Sequence, residues 1–491
     1  MLKTMKTLVA ILLAVLMLAS VCVTASAENG TTFTITELEG KYKTQGRTAL
    51  VGGDLMLEWS ASGMIFTADC SGDVKITVNA TRLGTEAHQG IYFTVIVDGK
   101  MQYEDMRIPT NNSADFWTSN STNYPFHITQ RGESEFTIAK NLKSGNHTFE
   151  IYKQTEAINT TFGIRNVTLN GEITAPPKNN KLYIEVVGDS IAAGLGNIST
   201  GGQNAPLYQD ATRSWPYLTA KALSADFSVL AQSGITATDN IGWSGASSVT
   251  MPDVYPKNMY YSDKRTEYDF ARQPDIIVVC LGTNDIWTYE KSGVTTTTVG
   301  NGFRDMLALL REKNPDAKII WVHGMMTNTA DSLITSAVRD MGGSEKGFYT
   351  LSLMKDVAGG QGHPSLSAQT VYTNSLVDFI EIEILKTKKP PEETVPDTNI
   401  ETSSSENSSS DEEDTSSVVI VTGPQNSSSG TSSDAQSSVT TIGAINDGND
   451  PQDPTEPDSI LIPIIIGVAA LLVAGGTVLA IILIKRKKAK A

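Results

Sequence analysis

The stretch Tyr183-Ile184-Glu185-Val186-Val187-Gly188-Asp189-Ser190-Ile191-Ala192-Ala193-Gly194-Leu195-Gly196-Asn197 decides the fold. Ile184 to Val187 is mostly apolar and β-branched, and it stops at Gly188-Asp189-Ser190 before a run of small residues. A buried parallel strand is therefore predicted to pass through a turn into a helix. That puts Ser190 at the C-terminal end of a strand, where an open α/β sheet faces its ligand crevice and the next peptide N–H groups are free to bind an anion.

The same residues also read as an ordinary strand-to-helix turn, with Gly188 in an unusual dihedral and Asp189-Ser190 as the helix cap. A dinucleotide turn fits less well, because Ser199 stands where the third glycine of that fingerprint belongs. The nucleophile elbow of the α/β-hydrolases needs Gly two residues after the serine, and Ala192 is there instead.

From Leu182 onward strands and helices alternate. Ser214 is predicted to cap a helix with Pro216 in its first turn, ending near Leu223. Strands are predicted at Phe227 to Leu230, Asp275 to Leu281 and Ala317 to Val322, with helices at Phe303 to Arg311 and Ser365 to Leu385. This alternation implies a parallel sheet covered on both faces. Glu28 to Asn180 has a different rhythm, with many short strand-like runs separated by signals such as Asp98-Gly99, Ser144-Gly145-Asn146 and Asn170-Gly171. That pattern argues for an antiparallel sandwich, and Pro176-Pro177 is read as a stiff hinge between the two parts.

The 491 residues, 40% hydrophobic and 19% charged, allow two or three domains with real cores. Residues 1–27 read as a secretory signal peptide: Lys3 and Lys6, an apolar run from Leu8 to Leu18, and Ala25-Ser26-Ala27 as cleavage site. Residues 28–175 are the β domain, 180–388 the α/β domain, and 389–459 a disordered Ser/Thr/Asp/Glu-rich linker. Residues 460–484 are 25 residues without a charge, followed by the basic tail 485–491 with Lys485-Arg486-Lys487-Lys488 and Lys490. They are predicted to be one transmembrane helix with a cytoplasmic tail, which holds the folded domains outside the cell membrane.

Fifteen of the 54 acids lie between residues 391 and 458, so the net charge of −16 is mostly linker, and residues 28–390 carry −8. A mildly acidic ectodomain argues against nucleic acid as a partner and suits a neutral polymer such as a polysaccharide. Cys22 leaves with the signal peptide. Cys70 and Cys280 read as buried small hydrophobes, not as a disulfide framework, and nothing has zinc spacing. No metal and no cofactor is expected, and the protein is expected to be a monomer.

Two further stretches bear on Ser190. The strand Asp275 to Leu281 ends in Gly282-Thr283-Asn284-Asp285, so Asn284 also lies at a strand's C-terminal end, where its carboxamide suits a developing oxyanion or simply a turn. Gly234, after the strand Phe227 to Leu230, can offer a backbone N–H to the same place. Of the five histidines, His88, His127 and His147 belong to the β domain and His323 ends a strand. His363, in Gly362-His363-Pro364 before the last helix, is the better candidate base. Trp287, three residues after Asn284, is placed at the crevice rim, either packed in the core or stacking on a sugar ring.

In this order, Gly188-Asp189-Ser190 with Gly194, Gly234, Gly282-Thr283-Asn284-Asp285 and His363-Pro364 resemble the four blocks of the SGNH (GDSL-type) hydrolases. The resemblance implies a flavodoxin-like three-layer fold, with Ser190 as nucleophile and His363 as base. It also implies that the Ser190 N–H, the Gly234 N–H and the Asn284 side chain form the oxyanion hole. Gly46-Arg47-Thr48, Leu57 to Gly63, Phe93 to Gly99, Gly145-Asn146-His147, Tyr152 to Ala157 and Phe162-Gly163-Ile164 are similar to the jelly-roll that precedes the hydrolase domain in carbohydrate esterase family 2. Members of that family are acetylxylan-esterase-type enzymes, so the implied substrate is an O-acetylated plant polysaccharide.

The superfamily carries Asp three residues before the histidine, where this chain has Gly360. Two arrangements are therefore open: a Ser-His dyad oriented by a backbone carbonyl, as some members of the esterase family have, or a triad completed by Asp356, seven residues upstream.

Overall fold

The computed structural model describes residues 30–83, 90–107, 124–157, 160–199, 208–239, 241, 249–260, 265–292 and 294–390. The signal peptide, linker, apolar segment 460–484 and basic tail lie outside the described residues. Among those described, no helix is long and apolar enough to cross a membrane.

Alternation along the central strands explains the α/β half. In Ile276–Cys280, Ile276, Val278 and Cys280 pack into one apolar cluster, and Ile277 and Val279 into another on the opposite face. Both faces of this sheet are therefore buried, as near-continuous apolar strands require. Among the described residues, five parallel strands follow the spatial order Asp226–Ala231, Tyr183–Gly188, Ile276–Cys280, Lys318–His323, Phe348–Ser352. The second strand in the chain thus lies on one side of the first and the third on the other, so the order reverses between Tyr183–Gly188 and Ile276–Cys280. In such sheets the ligand crevice opens at that switch point.

Element types agree with the expectations, and several bounds differ. The helix expected at Phe303 to Arg311 spans Thr296–Lys313, started by the Thr295 hydroxyl on the Thr298 N–H. Helices Thr283–Ser292 and Asp331–Asp340 and the edge strand Phe348–Ser352 were not anticipated. Ser214 does stand before the helix Trp215–Ala222 but gives it no side-chain cap. Its hydroxyl donates to Ala192 O, and Gln369 Oε1 accepts the Trp215 N–H instead.

Among the described residues, the N-terminal half is a ten-stranded antiparallel sheet wrapped around its own core, which includes Phe66, Phe93, Phe149 and Phe162. Here the turn signals misled. Met64 to Ala68 and Val74 to Val78 belong to one strand, Gly63–Arg82, and the expected turn at Ser144-Gly145-Asn146 lies inside Gly132–Lys153, with Gly145 opposite Cys70. Asn170-Gly171 likewise continues Thr161–Ile173. The register shifts near Cys70, Gly72 and Val74 mark bulges, which let a long strand bend around a core without stopping. Asp98-Gly99, both at positive φ, is a true turn.

Among the described residues, the strands of the N-terminal half pair among themselves and not with Tyr183–Gly188, yet the two sheets belong to one compact unit. Buried polar contacts join them. The Arg47 guanidinium reaches both Glu185 carboxylate oxygens at 3.2 Å, donates to Lys257 O at 2.9 Å, and lies 4.0 Å from the Tyr268 ring centroid. Lys43 and Arg272 both bond Asp226, and Gly46 N donates to Phe227 O. The expected hinge is tied down in the same way, with Lys178 O accepting from Lys43 and Asn180 N donating to Asp226.

Candidate active site

Ser190, Gly234 and Asn284 follow the ends of parallel strands, and His363 lies in the loop between the edge strand Phe348–Ser352 and the last helix, Leu366–Phe379. Tyr183–Gly188 runs directly into the short helix Ser190–Ala193, with the Asp189 carboxylate accepting the Ile191 N–H as N-cap. Gly188 is needed for space and not for an unusual dihedral: a Cβ there would lie 2.4 Å from Ala192 Cβ. Gly194, at φ 78°, ends the helix. The turn therefore serves both as a cap and as the mount that presents Ser190.

His363 reaches Ser190 from 173 residues away, its Nε2 2.7 Å from the serine Oγ. Its Nδ1 lies 3.1 Å from Gly360 O. A carbonyl can only accept, so Nδ1 carries the proton and Nε2 presents its lone pair to the serine hydroxyl. Burial holds the imidazole below its ordinary pKa, which favours the neutral form.

Asp356 does not orient this imidazole. Its carboxylate accepts the Ser365 N–H at 2.7 Å, the Ser365 hydroxyl at 3.2 Å and the Ala358 N–H at 3.2 Å, bracing the entry to the last helix. The place that an acid fills in the wider superfamily is taken by main chain. Gly360 N donates to Gly196 O at 2.9 Å, and a Cβ on Gly196 would lie 2.7 Å from Gly360 Cα. Backbone of the serine turn thus packs directly on backbone of the histidine loop.

The three groups expected to bind an oxyanion differ in what they already bond. Neither the Ser190 nor the Gly234 N–H has an acceptor among the described residues. Gly234, at φ 78°, stands third in a turn closed by Ile235 N on Gln232 O. Asn284 lies not in a loop but in the first turn of the helix Thr283–Ser292. Its amide nitrogen donates to Ile235 O at 3.0 Å, and its second proton faces Asp189 Oδ2 at 3.4 Å, too long to hold it firmly. Burial, with Asp285 nearby, pushes Asp189 up to about 7. Asp285 itself accepts the Ala237 and Thr238 N–H groups and so fixes the chain beyond Gly234.

Trp287 lies on the same helix as Asn284 and is 46% exposed, so it is not a packed core residue. His323 Nδ1 lies 3.0 Å from Asp331 Oδ1, while the imidazole on Ser190 belongs to His363. Sequence reasoning did not single out Glu156. This buried carboxylate of the N-terminal half accepts from Gln232 Nε2, Ser233 N and Ser233 Oγ, immediately before Gly234. The available signal was an acid in the polar stretch Gln154-Thr155-Glu156 just after a long strand.

Residues 186–355 match the GDSL-like lipase/acylhydrolase family model. The chain is 29% identical over 263 residues to the cellulase/esterase CelE of Acetivibrio thermocellus, covering 50% of this chain and 31% of that one. It is 27% identical over 189 residues to an acetylxylan esterase/glucomannan deacetylase of Cellvibrio japonicus, covering 38% and 51%. The match thus spans 31% of the length of the first relative and 51% of the second. Among solved structures, a family-two carbohydrate esterase from Clostridium thermocellum superposes with TM-score 0.59 at 23% identity, over 70% of this chain and 99% of that one. An acetyl xylan esterase from the rumen bacterium Butyrivibrio proteoclasticus gives 0.61 at 20%, over 73% and 100%. These likenesses establish the fold, and it extends over both sheets.

Proposed function

We propose, from the premise that residues 186–355 are a GDSL/SGNH acylhydrolase domain, that this chain is a serine esterase removing O-acetyl groups from polysaccharides at the cell surface. The observation that carries the reading is the Ser190 Oγ to His363 Nε2 contact of 2.7 Å, with Nδ1 on the Gly360 carbonyl. Nε2 takes the serine proton as Oγ attacks the acetyl carbonyl. The oxyanion forms where the Ser190 and Gly234 N–H groups and the Asn284 amide can donate to it. The imidazolium returns its proton to the departing sugar oxygen. A water activated by the same nitrogen then attacks the acetyl-enzyme, releasing acetate and restoring Ser190. The Gly360 carbonyl stabilises the imidazolium without itself ionising.

The names of the relatives support acetylated xylan or glucomannan as substrate, and exposed Trp287 suits stacking on a sugar ring. The signal-like start and the uncharged 460–484 segment with its basic tail support a single-pass anchor and an extracellular enzyme, which we take to act as a monomer. The test is acetate release from acetylated xylan and glucomannan, and p-nitrophenol release from its acetate, by the wild type and by Ser190→Ala. Turnover abolished by the substitution supports the reading. Binding of the polymers without turnover makes the protein a carbohydrate-binding surface protein, and turnover only on other esters moves the substrate elsewhere.

A further inference from the structure

We infer that Glu156, which belongs to the N-terminal β half, is a positioning residue for the oxyanion site of the other half, an inference that rests on the esterase reading above. Glu156 Oε2 accepts the Ser233 N–H at 2.6 Å and Gln232 Nε2 at 2.9 Å, and Oε1 accepts the Ser233 hydroxyl at 2.8 Å. Both donors of Ser233 therefore end on one buried carboxylate.

The next peptide N–H is that of Gly234. The turn Gln232 to Ile235, closed by Ile235 N on Gln232 O and with a positive-φ glycine in third place, has the type II signature. Its central peptide, Ser233–Gly234, takes no part in the closing hydrogen bond, so rotation about Ser233 ψ and Gly234 φ can turn the Gly234 N–H away. Anchoring Ser233 through both its N–H and its hydroxyl opposes that rotation.

The main chain that carries the carboxylate is itself held. Glu156 O accepts from buried Lys153 Nζ at 2.8 Å and from the Thr160 hydroxyl at 2.7 Å. Glu156 N donates to Gln209 Oε1 at 3.3 Å, and Gln209 Nε2 donates to Ala193 O, the last residue of the Ser190 helix. One residue thus links the elements that carry two of the three oxyanion donors. An interdomain contact with no other purpose has no need of this site, because Arg47–Glu185 and Lys43–Asp226 join the halves elsewhere. Leaving a carboxylate out of water costs free energy unless its lone pairs are satisfied, and here the satisfying donors are those next to the oxyanion N–H.

The test compares wild type, Ser190→Ala, Glu156→Ala, Glu156→Gln and Ser233→Ala, all in the full chain, by steady-state kinetics on p-nitrophenyl acetate. It adds the affinity for an alkylboronic acid, whose tetrahedral adduct on Ser190 places an oxygen in the oxyanion site. Glu156→Ala is expected to lower kcat by about 10²-fold, the cost of an ångström-scale misplacement, and boronate affinity by a comparable factor, with KM changed less than about threefold. Glu156→Gln should stay within about tenfold of wild type, since an amide oxygen still accepts from Ser233 N while its NH₂ donates to the Ser233 hydroxyl. If Glu156→Ala does not fold, Ser233→Ala decides: a fall of about three- to tenfold in both kcat and boronate affinity supports the inference. Unchanged kcat or unchanged boronate affinity in the folded variant overturns it, as does a change confined to KM. An inactive wild type, or an active Ser190→Ala, defeats the esterase reading instead and is recognised separately.

Discussion

At the residue scale, the chemistry turns on which group faces His363 Nδ1. The contact is to Gly360 O, so Asp356→Asn should change kcat little, whereas neutralising an acid that orients a catalytic histidine costs about 10⁴-fold. A loss of that size would restore Asp356 to the machinery. Asn284→Ala should lower kcat by about 10²- to 10³-fold with KM less affected, as removal of one oxyanion donor does. The pH profile follows from burial of the imidazole. The neutral form is the base and its pKa lies below the ordinary value, so kcat/KM should hold as pH falls through about 6.5 and decline only below it. An acid limb above that value would contradict the geometry.

At the element scale, the site depends on two loops that touch through their backbones. Gly196 has φ 67°, and an added Cβ would come within 2.7 to 2.8 Å of Gly360 N, Cα and O. Gly196→Ala should therefore cost more than the usual penalty for a side chain at positive φ, roughly 1 kcal/mol. It should also push the histidine loop off the serine turn, so that kcat and Tm fall together. Activity at the wild-type level would show that the loop can yield. Asp356 acts at this scale as well, tying the Ser365 N-cap to the chain before the histidine loop.

At the scale of the whole molecule, the two sheets are joined by charges withdrawn from water. Arg47→Met leaves Glu185 buried without its cation, and breaking such a pair by removing one partner costs about 3–5 kcal/mol. Urea unfolding should show that loss, and it should appear in the N-terminal β half and the α/β sheet in a single transition. Two separate transitions, with only one shifted, would mean that the halves fold independently. On the proposed anchor reading, truncation after residue 390 should leave activity intact and release the protein from the membrane fraction, because residues 391–458, with 15 acids and no basic residue, have a composition too polar to build a core. Loss of folding on truncation would overturn the tether.

The sequence by itself determined what local pattern and chemistry can carry. The apolar strand before Gly188, the alternation of strands and helices after it, and a serine, a glycine, an asparagine and a histidine at the ends of separate elements were all legible, because strand periodicity and turn chemistry are short-range. The β half was legible as β but only in part in its strand bounds, since Gly145 and Gly171 look like turns until a bulged strand has a core to bend around. The group that orients His363 was left open between Asp356 and a carbonyl. That choice depends on where Gly196 and Gly360, 164 residues apart, bring their backbones together. Glu156 could not be assigned for the same reason: its partners are 76 and 77 residues away in another sheet, and only the packing of the two halves removes enough water to make a carboxylate seek those donors.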